Sequence, residues 1–230
     1  MQYLIIGASS GIGYNLAQQL SAKGNRVFGT YNQHPITEQT DLLSYHPLNV
    51  LDAEQDLSFL PEVLDGVVYC VGAIQLRPFE RIKAEDFLND YRLQVLGAIQ
   101  ILQKVMPLLK KSESASIVLV STLAVQTGLT FHSQVASSKG AIEGLVRALA
   151  AEYAPKIRVN AIAPSLTDTP LAASLLNTEQ KREANALRHP LKRIGTSEDM
   201  SEAIQFLLGT QSAWVTGQIL AIDGGMSSLR

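Results

Sequence analysis

Three glycines within the first thirteen residues, Gly7, Gly11 and Gly13, follow the short apolar run Tyr3-Leu4-Ile5-Ile6 and lead into a helical pattern. A strand, the loop Gly7-Ala8-Ser9-Ser10-Gly11-Ile12-Gly13 and a helix, in that order, suit the pyrophosphate of a dinucleotide. Gly7 supplies the dihedrals of a tight turn that other residues resist. Gly11 leaves space where a side chain would block the phosphates, and Gly13 lets the helix press on the sheet. Free N–H groups at the helix start face the anion, and the helix dipole favours its charge. Taken alone, the loop is also compatible with an ordinary glycine-rich turn. A Walker-type phosphate loop is excluded, because no Gly-Lys-Ser/Thr follows.

Such a loop needs a sheet to stand on, and the rest of the chain supplies one. Strand-like and helix-like segments alternate, which predicts an α/β fold: a Rossmann-type, doubly wound parallel sheet of about seven strands with helices on both faces. A helix is expected over about Ile12 to Lys23, buried through Leu16 and Leu20, followed by a strand at Arg26–Tyr31. The polar stretch from Asn32 to Ser44 leaves little room for a helix. Leu48-Asn49-Val50 is expected to end a third strand, and Gly66 to Val71 forms a fourth. Phe87, Tyr91, Val95, Ile99, Leu102, Met106 and Leu109 recur at helical spacing, predicting one long helix from about Ala84 to Lys111. Ile117–Val120 is apolar throughout, as in a strand covered on both faces. A second long helix is expected over about Gln134 to Tyr153, buried through Ile142, Leu145, Val146 and Leu149. Strands at Val159–Ile162 and Ile219–Ile222, a helix near Ser197 to Leu208, and a looser, lid-like segment from Ser165 to Pro190 complete the chain. No repeat or linker divides it, so residues 1–230 are expected to form a single dinucleotide-binding domain.

Bulk properties exclude several function classes. A chain of 230 residues with 46% hydrophobic content has room for one sizeable core, and a net charge of −2 offers no basic field for nucleic acid. The single cysteine, Cys70, reads as a small buried hydrophobe within an apolar run. No run approaches the ~20 apolar residues of a membrane span, and no basic region precedes the first apolar stretch. A soluble, cytoplasmic protein without nucleic-acid or membrane partners is expected, and no metal ligand set stands out.

With these elements placed, nearly the whole chain resembles the short-chain dehydrogenase/reductase family. Gly7, Gly11 and Gly13 match that family's G-x-x-x-G-x-G cofactor loop, with Ser9, Ser10 and Ile12 between them. Asn49-Val50 stands where the resemblance implies an adenine contact, and Gly72-Ala73 matches the end of an Asn-Asn-Ala-Gly stretch. Arg158 to Pro164 is similar to the segment before the nicotinamide-binding turn, with Ser165 where glycine is usual. Thr169 matches a threonine that contacts the carboxamide. Trp214-Val215-Thr216-Gly217 and Asp223-Gly224-Gly225 resemble the closing segment.

The family's chemistry moves hydride between nicotinamide and a carbonyl or alcohol carbon while an adjacent acid/base handles the proton. The resemblance makes Lys139 the lysine that holds the ribose and implies a tyrosine four residues earlier on the same helix face. That position is Val135, which has no proton to give. The serine position falls on Thr122, with Ser121 beside it, and the asparagine position on Gln94. Losing a positioned general acid removes about 10²–10⁴-fold of rate, roughly 3–5 kcal/mol of barrier. His132 lies seven residues before Lys139, close to two helical turns, and occupies the donor position of the enoyl-thioester reductase branch; a surface histidine at the helix entrance is the alternative. Ser133 reads as the N-cap of that helix.

Cofactor choice turns on the end of the second strand, where NAD-selective sites place a carboxylate. Tyr31 and Asn32 stand there, neither acidic nor basic, and Ser10 offers no positive charge, so NADP(H) is slightly favoured over NAD(H). Two function classes follow. One is an NAD(P)(H)-dependent oxidoreductase acting on a small carbonyl or enoyl substrate with a non-standard proton donor. The other is a catalytically impaired nucleotide-binding protein, a redox sensor or assembly partner. The resemblance implies a homodimer or homotetramer that pairs through the two long helices.

Overall fold

The computed structural model describes residues 1–229. Its strands are β1 (Gln2–Ile6), β2 (Arg26–Tyr31), β3 (Leu43–Pro47), β4 (Gly66–Tyr69), β5 (Ala115–Val120), β6 (Ile157–Pro164), β7 (Thr167–Asp168), β8 (Gly195–Thr196) and β9 (Ile219–Ile222). The helices are α1 (Gly11–Ala22), α2 (Ala84–Tyr91), α3 (Gly97–Leu109), α4 (Ala124–Thr127), α5 (Ser133–Tyr153), α6 (Glu179–Leu187) and α7 (Ser197–Leu208). Seven strands form one sheet in the order β3-β2-β1-β4-β5-β6-β9, and every neighbouring pair is parallel. β7 and β8 make a separate two-stranded parallel pair.

The strands are apolar in succession because both faces are covered. Leu4, Ile6, Val67, Ile117, Leu119 and Val159 pack on one side against Ile101, Val105 and Leu109 of α3 and Ile142 and Val146 of α5. Tyr3, Ile5, Val27, Val68, Val118 and Ile162 pack on the other against Leu16 and Leu20 of α1 and Ile204 and Leu207 of α7. The chain reverses its direction of growth between β1 and β4, the neighbours at the centre of the sheet. In open parallel sheets a crevice forms at that reversal, beyond the carboxyl ends of the strands. Among the described residues no helix is long and apolar enough to cross a membrane.

Four expectations are corrected. The third strand stops at Pro47, and Leu48-Asn49-Val50 turns away beyond it, with Leu48 and Val50 sunk in the core. The single long helix is broken: α2 and α3 flank a π-helical turn at Arg92–Leu96, which rotates Gln94 inward and leaves Tyr91 exposed. The lid-like segment is largely ordered as a 3₁₀ stretch, Pro170–Leu175, followed by α6. The residue flanking α5 is His132 rather than Ser133, whose Oγ is buried without a hydrogen-bond partner.

Candidate active site

The glycine loop leaves β1 with backbone that side-chain-bearing residues resist: φ is +82° at Gly7 and +52° at Gly11. The Gly7 N–H donates to Oγ1 of Thr30 at 3.2 Å, tying the turn to β2. A Cβ on Gly13 would lie 2.1 Å from the Gly7 carbonyl oxygen, so α1 abuts the loop as closely as backbone permits. Ser10 flanks α1 without capping it through its side chain, which leaves the first N–H groups of the helix to an outside acceptor.

A cavity of about 280 Å³ opens next to this loop. Ile12, Gly72, Gln94, Ser121, Thr122, His132, Val135, Lys139, Pro164 and Thr169 all line it, so residues scattered over most of the chain are brought together. The remaining expected contacts lie outside the cavity, at the carboxyl ends of β1, β2 and β3: Gly7, Ser9, Ser10, Gly11 and Gly13 in the loop, Tyr31 at the end of β2 with Asn32 after it, and Asn49 and Val50 after β3. Gly11 sits against the side chain of Thr169, joining the loop to the cavity rim. Val50 is the exception among them. Its side chain packs against Gly97 in the core and its carbonyl accepts from Gln55 Nε2, so it forms no ligand wall.

No tyrosine is among the residues that line the cavity, and Val135 occupies its wall. The hydroxyl of Tyr69 donates at 2.6 Å to the Leu93 carbonyl, and burial pushes its pKa up. Lys139 is buried in α5, and its Nζ takes part in no hydrogen bond among the described residues. Burial lowers its ammonium to about 8, a shift opposed by the carboxylate of Asp90. Oε1 of Gln94 is buried and also lacks a partner. A Cβ placed on Gly72 would stand 3.4 Å from that oxygen and 3.7 Å from Lys139 Nζ, so a free acceptor and a free cation flank one point.

Asp90 holds this arrangement from behind, a role that sequence reasoning missed. Both its carboxylate oxygens accept from Gln94 Nε2 at 2.8 Å, and one accepts from Ser138 Oγ at 2.6 Å. Capturing the amide nitrogen leaves the amide oxygen as the end turned elsewhere. The i, i+4 spacing of Asp90 and Gln94 was the available signal, but a lone acid on an amphipathic helix reads as solvated.

The two hydroxyls differ. Ser121 Oγ donates to the buried carboxylate of Glu143 at 2.8 Å and is thereby committed to the wall. Thr122 Oγ1 accepts only from the Ala124 N–H, at 3.3 Å, and keeps its proton to donate. His132 follows Phe131, which holds φ at +68°, costly for a residue with a side chain and frequent at functional sites. Its ring Nδ1 lies 2.8 Å from the Thr130 carbonyl and donates to it, leaving Nε2 as the free nitrogen. Cys70 proves half-buried and lines the same cavity. Lys139 and Arg188 are the fixed charges of the lining, and no carboxylate offsets them there.

The residues present fit a dinucleotide: a cradle that a single Cβ would fill, unused helix N–H groups, and an unpartnered lysine beside them. A family model described as enoyl-(acyl carrier protein) reductase matches residues 7–227. A tropinone reductase homologue of Arabidopsis thaliana is 32% identical over 99% of this chain and 93% of its own length. A 3-oxoacyl-(acyl-carrier-protein) reductase of Thermotoga maritima is 31% identical over 97% and 96% of the two chains. The structure of ElxO with NADP bound superposes with a TM-score of 0.89 at 25% identity, over 99% of this chain and 98% of the other.

Proposed function

Because the chain belongs to the short-chain dehydrogenase/reductase family, we propose that it is an NAD(P)(H)-dependent oxidoreductase acting on a small carbonyl or enoyl substrate with a non-standard proton donor. The observation that carries this reading is the cavity itself: it opens beside the glycine loop and is lined by free Lys139 and by Val135, where the resemblance implies a phenol. A bound nicotinamide would supply hydride to a substrate carbon. The glycine loop and the α1 N–H groups would hold its pyrophosphate, Lys139 its ribose, and Pro164 and Thr169 its ring end. Relatives that act on oxoacyl groups and the NADP-bound ElxO structure support a carbonyl or enoyl substrate and NADP(H) over NAD(H).

The substrate would lie between Thr122, Val135 and the segment from Ser165 to Pro190. Thr122 donates a hydrogen bond to its oxygen. The proton comes from His132, whose imidazolium presents Nε2–H, or from water held by Thr122 and Lys139. NADPH oxidation with ethyl acetoacetate and with crotonyl-N-acetylcysteamine tests the reading. Turnover is expected with at least one probe, and a fall of about 10²-fold in His132→Ala would assign the proton to the histidine. Unchanged turnover in that variant refutes the histidine role. Coenzyme binding without turnover on either probe, together with activity created by Val135→Tyr, would establish the impaired, nucleotide-sensing alternative instead.

A further inference from the structure

We propose that Ser165 and His189 form a proton relay to the substrate oxygen in this cavity, an inference that rests on the oxidoreductase reading above but puts this pair, rather than His132, in the place of the proton donor. His189 is 3% exposed, and both its ring nitrogens are engaged. Nδ1 lies 2.9 Å from the backbone carbonyl of Asn185, and Nε2 lies 2.8 Å from Ser165 Oγ. A carbonyl only accepts, so Nδ1 carries the hydrogen. In the neutral ring Nε2 is then an acceptor, and the Ser165 hydroxyl donates to it. In the imidazolium the direction reverses: Nε2–H donates to Oγ, and the hydroxyl proton turns to Met226 Sδ, 3.4 Å away on the cavity lining, or to a substrate oxygen that takes its place.

Both residues line the same cavity as Lys139, Thr122 and Val135. A hydroxyl is missing at position 135, and one is present at position 165, where the family resemblance leads to glycine. An acid–base pair whose base is oriented by a third group is the arrangement that activates a hydroxyl for proton transfer.

The step balances as follows. In the proposed function, hydride reaching the substrate carbon would leave the substrate oxygen as an alkoxide or enolate oxygen. That oxygen takes the Ser165 hydroxyl proton. Ser165 Oγ takes the proton from His189 Nε2, leaving the imidazole neutral until water at the cavity mouth recharges it. Charged groups around His189 are Asp223 in the turn after β9, Arg188 and Lys192 on its own segment, and the Arg193–Asp199 pair, 2.6 Å apart, across an adjoining cavity.

The test uses His189→Gln, Ser165→Ala and His132→Ala with NADPH and whichever of ethyl acetoacetate or crotonyl-N-acetylcysteamine turns over. The relay predicts a drop in kcat of about 10²-fold in His189→Gln and Ser165→Ala, with NADPH binding by fluorescence unchanged. Nitrogen NMR of the coenzyme-free protein should show the neutral ring protonated at Nδ1; protonation at Nε2 overturns the proposal without any assay. A His189→Gln enzyme with wild-type kcat, whatever its melting temperature, reduces the pair to a structural latch. If His132→Ala alone abolishes turnover, the relay falls and the oxidoreductase reading stands. If the wild type oxidises NADPH with neither probe, both fall.

Discussion

Lys139 carries a titration that stability measurements can read. Burial lowers it from 10.5 to about 8, while Asp90 pulls the other way. Between those pH values the folded protein binds fewer protons than the unfolded chain, so this lysine makes stability rise with pH across the window. Urea unfolding of the coenzyme-free protein should show that rise, on the order of 3 kcal/mol from the shift itself, relative to Lys139→Met. Parallel curves for the two proteins would refute it. Asp90→Asn removes the charge that favours the ammonium, so the rise should begin at lower pH. The lysine and the valine were legible from spacing and resemblance. Asp90, Glu143 and His189 were not, because a buried acid or imidazole looks like a surface one until its partners are in place.

At the level of elements, the glycine loop and the broken long helix decide the site. Gly13→Ala sets a methyl group 2.1 Å from the Gly7 carbonyl, and backbone rather than a flexible side chain would have to yield. A loss of about 1–3 kcal/mol and weakened NADPH binding are expected by thermal melts with and without coenzyme; a variant indistinguishable from wild type in both would show that the loop tolerates displacement. The helical stripe from Phe87 to Leu109 was visible in the sequence, but the π turn within it was not. Widening one turn barely disturbs apolar spacing, and it is the Asp90–Gln94–Ser138 contacts, made across to α5, that accompany it.

For the molecule as a whole, coenzyme binding should stabilise the fold. At NADPH concentrations 100-fold above Kd the gain is about 2.7 kcal/mol, read as a raised Tm; no shift with NADPH or NADH would contradict the dinucleotide cradle. A sedimentation experiment addresses assembly, with a dimer or tetramer expected from the resemblance and a monomer at micromolar concentration counting against it.

The alternation of elements, the parallel sheet and the glycine loop were determined by the sequence alone, because apolar periodicity and the backbone freedom of glycine act over spans of a few residues; Lys139 stood out only through the family resemblance. Which polar atoms meet was decided only by the tertiary structure. Ser165 reaches His189 across 24 positions and Asp90 reaches Ser138 across 48, contacts that exist only once the loop after β6 folds over α6 and the π turn packs on α5. Side-chain chemistry is written locally, but the protonation and direction of each hydrogen bond depend on neighbours that distant elements supply.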